Sequence, residues 1–137
     1  MKNFLIIGGS SGIGLALCDM LLKEGHTVYS TFRIHQSDIK HPNHIHFRLD
    51  VSEPQLDFSL LPDQLDGLVY CPGSIELKPF ARIKPADFVG DFEMQVVGAV
   101  KVIQGLLERL KNSKQASIVL FSSVAASHGF NFHSLVS

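Results

Sequence analysis

Gly8, Gly12 and Gly14 surround two serines in the run Gly8-Gly9-Ser10-Ser11-Gly12-Ile13-Gly14. Glycine has no side chain and tolerates tight turns, so such a run lets a bulky anion come close to main-chain N–H groups. Where a strand turns into a helix, those N–H groups and the positive helix end face a phosphate. Ser10 and Ser11 add hydroxyl donors. A plain tight turn is the alternative. The nucleotide-triphosphate loop that ends in Lys-Ser or Lys-Thr is excluded, because Leu15-Ala16 follow Gly14. Seven histidines raise the question of a metal, and His41, His44 and His46 cluster. His44 and His46 would share one strand face. Zinc sites need three or four ligands at defined spacing, and no cysteine lies nearby, so we expect no metal and a solvated strand edge. His128 and His133 are expected on a flexible polar loop. Cys71 is expected to be a buried, inert thiol.

The elements around the glycine run give it context. Phe4 to Ile7 is a continuous apolar run, as in a strand covered on both faces. Ile13, Leu17, Met20 and Leu21 then recur at helical spacing, and Gly25 fits a helix stop. Thr27 to Phe32 reads as a second strand, and the polar stretch from Ile34 to Asn43 as a connector in place of a helix. Ile45 to Val51 reads as a third strand, Leu68 to Cys71 as a fourth and Ser117 to Phe121 as a fifth. The stretch from Leu56 to Leu65 fits no single pattern. Pro85 opens the longest helical pattern, with Phe88, Phe92, Val96, Val100, Ile103, Leu107 and Leu110 at steps of three and four. Strands separated by crossovers form a parallel sheet, so the expected fold is α/β, a doubly wound parallel sheet.

Composition bounds the function. The chain has 137 residues, the size of one small domain, and residues 1–137 are expected to form a single dinucleotide-binding domain. Lys and Arg total 12 and Asp and Glu 13, a net charge of -1, so nothing favours nucleic acid or an anionic membrane as partner. Apolar runs are far shorter than the roughly 20 residues of a membrane helix. The opening stretch is too short for a signal peptide. Two cysteines cannot make a disulfide framework, and a reducing, cytoplasmic setting is expected.

The glycine run resembles the cofactor loop of short-chain dehydrogenases/reductases, Thr-Gly-x-x-x-Gly-x-Gly, with Ile7 in place of the Thr. The resemblance extends along the chain. Asp50-Val51 looks like the family's adenine-contacting Asp-Val pair. Tyr70-Cys71-Pro72-Gly73 stands in place of Asn-Asn-Ala-Gly, with only Gly73 matching. Ile118 to Ala125 resembles the family's fifth strand and catalytic serine, which makes Ser123 the serine. Gln95, three residues before Gly98, stands where the family has an Asn that holds a relay water. The resemblance implies a Rossmann fold, here without the family's C-terminal strands and helices, and carbonyl–alcohol hydride transfer on a small molecule. It places the nicotinamide cofactor along Gly8, Ser10, Ser11, Gly12, Ile13, Gly14, Arg33, Asp50, Val51 and Gly73. No Asp or Glu occurs between Glu24 and Asp38, and Arg33 offers a planar donor to a 2′-phosphate, so NADP(H) is favoured over NAD(H).

The family's proton donor is a Tyr in a Tyr-x-x-x-Lys motif, which would fall near Val136, thirteen residues after Ser123. The only tyrosines are Tyr29 and Tyr70, both upstream in strands. A phenol with pKa near 10 is a poor base without help. The 137 residues are therefore expected to turn over weakly or not at all, either as a piece of a longer reductase or as a small protein that keeps cofactor binding. A non-catalytic nucleotide-binding or protein-interaction module is the alternative. The Phe- and Val-rich face of the long helix needs a cover, so a homo-oligomer is expected.

Overall fold

A computed structural model describes residues 1–137. Strands β1 (Asn3–Ile7), β2 (Thr27–Phe32), β3 (His44–Arg48), β4 (Gly67–Tyr70) and β5 (Ser117–Leu120) form one sheet in the order β3-β2-β1-β4-β5. Every neighbouring pair is parallel, with Leu5 facing Tyr29 on one side and Leu68 on the other. Helix α1 (Gly12–Lys23) connects β1 to β2. Helices α2 (Pro85–Phe92) and α3 (Gly98–Lys111) connect β4 to β5, joined by a π-turn at Glu93–Val97.

The period-two pleat of β1 divides the core between the two sheet faces. Leu5 and Ile7 point into a cluster with Leu68, Tyr70, Val102 and Leu106. Ile6 points the other way, onto Cys18, Leu22, Val28 and Val69. Burying such side chains stabilises the sheet by roughly 1.5–3 kcal/mol each. The segment from Leu56 to Leu65 forms no regular element. It sends Leu61 and Leu65 into the first cluster and is tied to α3, where Leu65 N–H donates to Arg109 O at 3.0 Å.

Several elements differ from the sequence expectation. Strand β3 stops at Arg48 rather than Val51, because its partner β2 ends at Phe32. Asp50 then folds into a turn through Ser52, whose N–H and hydroxyl both donate to Asp50 Oδ1. The buried stripe of α1 is Gly14, Cys18 and Leu22, while Ile13 and Met20 are exposed. The close seat of Gly14 beneath Gly8 sets that rotation. In α3 the buried stripe is Ala99, Val102, Leu106 and Leu110. Phe88, Phe92, Val96, Val100 and Leu107 form a second apolar face open to solvent, next to the equally exposed β5. His44 and His46 are half-buried and hydrogen-bonded to Ser30, not a solvated edge. No helix is long and apolar enough to cross a membrane.

Candidate active site

All five strands run the same way, so their carboxyl ends lie along one edge of the sheet. The order reverses between β1 and β4, where neighbouring connections leave toward opposite faces and open a crevice. A cleft of about 1320 Å³ lies there. Gly8, Ser10, Ser11, Gly12, Ile13 and Gly14 line it from the β1–α1 loop, Gly73 from the end of β4, Gln95 from the π-turn and Ser123 from the end of β5. Residues up to 115 positions apart thus meet in one space. Arg33, Asp50 and Val51 are not in its wall. They follow the carboxyl ends of β2 and β3, farther along the same edge.

Gly8 and Gly12 have φ of 81° and 53°, in the left-handed region where a Cβ is penalised. A Cβ at Gly14 would collide with the Gly8 carbonyl, so only glycine lets the helix start this close to the strand. The loop is pinned from β2. Thr31 Oγ1 accepts from Gly8 N–H at 3.1 Å and Thr31 O from Gly9 N–H at 2.9 Å. The helix start is left open for an anion. Ser11, the N-cap residue, is extended and its hydroxyl caps nothing, and no acidic residue stands in the first turn. The earliest helical bond runs from Leu15 N–H to Ser11 O, so the N–H groups of the preceding turn face outward with the helix dipole behind them.

The Asp50 pKa is lowered, first by the Ser52 hydroxyl and N–H and, more weakly, by the Arg33 and Arg48 charges. Both Ser52 bonds fall on Oδ1, which leaves Oδ2 to accept from a ligand. Val51 turns its side chain into the core. Its carbonyl is taken by Lys101 Nζ at 2.7 Å, and the same ammonium reaches Glu53 O.

On the other wall, Ser123 Oγ accepts from Ala125 N–H at 3.1 Å, and its own hydrogen remains free to donate into the cleft. Gln95 is tied to Asp91 by Nε2 at 2.9 Å. The π-turn around it is fastened from the sheet, where the Tyr70 hydroxyl donates to Met94 O. Burial pushes the Tyr70 pKa up to about 12, so the phenol keeps its proton, which it donates to Met94 O. Burial likewise pushes the Cys71 thiol up to about 11, with Cys18 adding to the shift. Val136 does line the cleft that holds Ser123. His128 and His133 do not. Their Nδ1 atoms sit beside Ser127 Oγ and Asn131 O.

Sequence reasoning missed Thr31 and Lys101, which hold the site from behind, and assigned Tyr70 and Gly98 no part in fastening the π-turn. A buried threonine in an apolar strand was a faint signal for the first. Nothing local marks Lys101, which acts on carbonyls about 50 residues away in sequence.

With this geometry in view, comparison with known proteins is decisive. The family model for short chain dehydrogenases matches residues 2–135. The chain belongs to the short-chain dehydrogenase family. It is 29% identical to the short chain dehydrogenase ausX of Emericella nidulans, over 94% of this chain and 71% of that one. It is 30% identical to a cyclopentanol dehydrogenase of Comamonas sp., over 90% of this chain and 55% of that one. Among solved structures, a short chain dehydrogenase family protein from Francisella tularensis superposes with TM-score 0.84 at 26% identity, over 99% of this chain and 57% of that one. ElxO, with NADP bound, superposes with TM-score 0.86 at 24% identity, over 99% and 61%. This short-chain dehydrogenase chain therefore spans between about half and seven-tenths of the length of these relatives.

Proposed function

We propose that residues 1–137 form the nucleotide half of an NADP(H)-dependent oxidoreductase acting on a small carbonyl or alcohol. The observation that carries this reading is the uncapped helix start of α1 at the strand-order reversal, with Arg33 and no carboxylate at the end of β2. In this reading the dinucleotide phosphates meet the N–H groups of Gly12, Ile13 and Gly14 and the Ser10 and Ser11 hydroxyls. Gly8 and Gly73 leave room for backbone approach. Asp50 Oδ2 and the main chain at Val51 take the adenine end, and Arg33 takes the 2′-phosphate. When bound there, NADPH would supply the hydride that a carbonyl substrate accepts. Ser123 donates to the carbonyl oxygen, and Gln95 holds a water near it. Free thiols at Cys18 and Cys71 suit a reducing, cytoplasmic setting.

No side chain in the cleft is positioned to deliver the proton. Tyr70 is committed to Met94, and Val136 offers only a hydrocarbon. Positioned acid–base help is typically worth about 10²–10⁴ in rate. These residues alone are therefore expected to reduce ketones slowly, whereas binding needs none of the missing groups. Calorimetric titration with NADPH and NADH tests the reading. NADPH should bind more tightly, and Arg33→Ala should weaken NADPH while leaving NADH unchanged. Equal affinity for both would remove the preference, and binding of neither would overturn the function.

The commitment of Tyr70 to Met94 also favours a second reading, a nucleotide-binding module without turnover. NADPH oxidation against ketones and aldehydes separates the two. Turnover that is lost on Ser123→Ala supports the enzyme, and binding without turnover supports the module.

A further inference from the structure

The connector from Ile34 to Asn43 has no regular structure, yet it is fastened at two points to the sheet beneath it. Ser30, fully buried in β2, has its Oγ 2.7 Å from His44 Nε2 and 2.6 Å from His46 Nδ1. Ser37 N–H donates to His46 Nε2 at 3.2 Å, and His44 Nδ1 lies 3.3 Å from Ile39 O. An amide N–H can only donate and a carbonyl can only accept, so both ends of this chain are fixed. His46 must be bare at Nε2 and protonated at Nδ1, from which it donates to Ser30. His44 must be protonated at Nδ1 to reach Ile39 O, so its Nε2 accepts the Ser30 hydroxyl. Each bond then runs in one direction, from Ser37 through His46, Ser30 and His44 to Ile39. The chain stays closed only while His46 is neutral, because the amide of Ser37 needs a bare Nε2, whereas the Ser30 oxygen has a second lone pair to accept from a protonated His44.

This relay sits behind the nucleotide edge. The connector begins directly after Arg33. Its Gln36 and Ser37 share a cavity of about 610 Å³ with Ser10 and Gly12 of the glycine loop. Resting on the function proposed above, we propose that this relay positions the wall at the 2′-phosphate end of the nucleotide. A second proton on His46 releases that wall, so acid weakens NADPH binding more than NADH binding. That proton would set Nε2–H against Ser37 N–H. One on His44 leaves the bonds in place, since the Ser30 oxygen can accept from both rings.

The surroundings agree with neutral rings. Burial is the main influence lowering the pKa of both, and a charge on His44 opposes one on His46, as His41 does for His44. The other titratable or charged groups on the packed elements are Cys18, Asp19 and Lys23 of α1, Tyr29 of β2, His35, Asp38 and Lys40 of the connector, and Arg48 of β3. None of these makes an ion pair with either imidazole.

The test measures NADPH and NADH affinities by calorimetry from pH 8 to pH 5, beside ¹⁵N spectra of the histidine side chains. His44 and His46 should appear as Nδ1–H tautomers, as should His133 opposite Asn131 O, and the first two should protonate below the ordinary histidine value. The NADPH-to-NADH preference should fall about fivefold or more, with the same midpoint as the His46 ring. The 2′-phosphate also takes up a proton in this range, so His46→Gln is the control. With a side chain that does not titrate at 46, the preference should change less with pH, leaving only the phosphate's own contribution. An unchanged pH profile in His46→Gln, or Nε2–H tautomers at His44 and His46 in the wild-type spectra, would overturn the relay. Failure of the wild type to bind either nucleotide at pH 8 would instead overturn the proposed function.

Discussion

A methyl group at position 14 would overlap the Gly8 carbonyl oxygen and stand 3.1 Å from Gly9 Cα, with backbone on both sides and nothing flexible to move. Gly14→Ala is therefore expected to cost about 1–3 kcal/mol or more, as overpacking does, and to abolish nucleotide binding by moving the helix start. Urea denaturation and a nucleotide titration of the same variant would check both effects. The buried imidazoles make a second prediction. The unfolded chain takes up histidine protons near pH 6.5, while His44 and His46 resist them in the fold until lower pH. Between those values the unfolded chain holds more protons, so this part of the stability is complete above about pH 6.5 and is lost as pH falls through the folded values. The urea midpoint should thus be lower at pH 5.5 than at pH 7.5. Replacing both histidines with Asn should flatten that slope. Asp50 and Asp66, whose pKa values are also lowered, titrate too low to contribute there.

The path from α2 to α3 shows how one element is shaped by another. Gly98 lies against the Tyr70 hydroxyl and Val51, where an added Cβ would come within 3.0 Å of Val51 Cγ2, whereas Gly90 faces open space. Gly98→Ala should destabilise by about 1–3 kcal/mol. Gly90→Ala should stabilise by roughly 0.5–1 kcal/mol through helix propensity alone. Thermal melts of the pair would separate packing from propensity. The same region shows what could be read from sequence. Five parallel strands, the glycine turn and the helix opened by Pro85 were legible, because periodicity and turn residues are local signals. The π-turn was not, since its cause is a tyrosine on a strand 24 residues away. The end of β3 was misread because its apolar run continues into Leu49 and Val51 after its partner strand has stopped. At the site, the sequence gathered Gly8 to Gly14, Gly73, Gln95 and Ser123, which do share a cleft. It took His44 and His46 for surface groups, because alternation alone cannot reveal a connector folded over them.

For the molecule as a whole, the exposed apolar face formed by Phe88, Phe92, Val96, Val100 and Leu107 lies on the same side of the sheet as Ile118 and Leu120 of β5, while Val119 is exposed on the other side. That strand is a sheet edge with no charge, proline or bulge to discourage pairing. The 137 residues are expected to self-associate, and sedimentation should show a mass above 15.1 kDa that falls toward the monomer in Val100→Glu. A monomer in the wild type would contradict this. The sheet order also has a consequence in time. β1 precedes the other four strands in the chain and is the middle one of the five, yet its partner β4 lies about 60 residues later. At roughly 5–20 residues per second of translation, one flank of β1 waits several seconds for its neighbour. Through that interval Phe4 to Ile7 presents an apolar edge like the one β5 presents among these five strands. Refolding from denaturant should accordingly be slower than for helical proteins of this length, and its yield should fall as protein concentration rises.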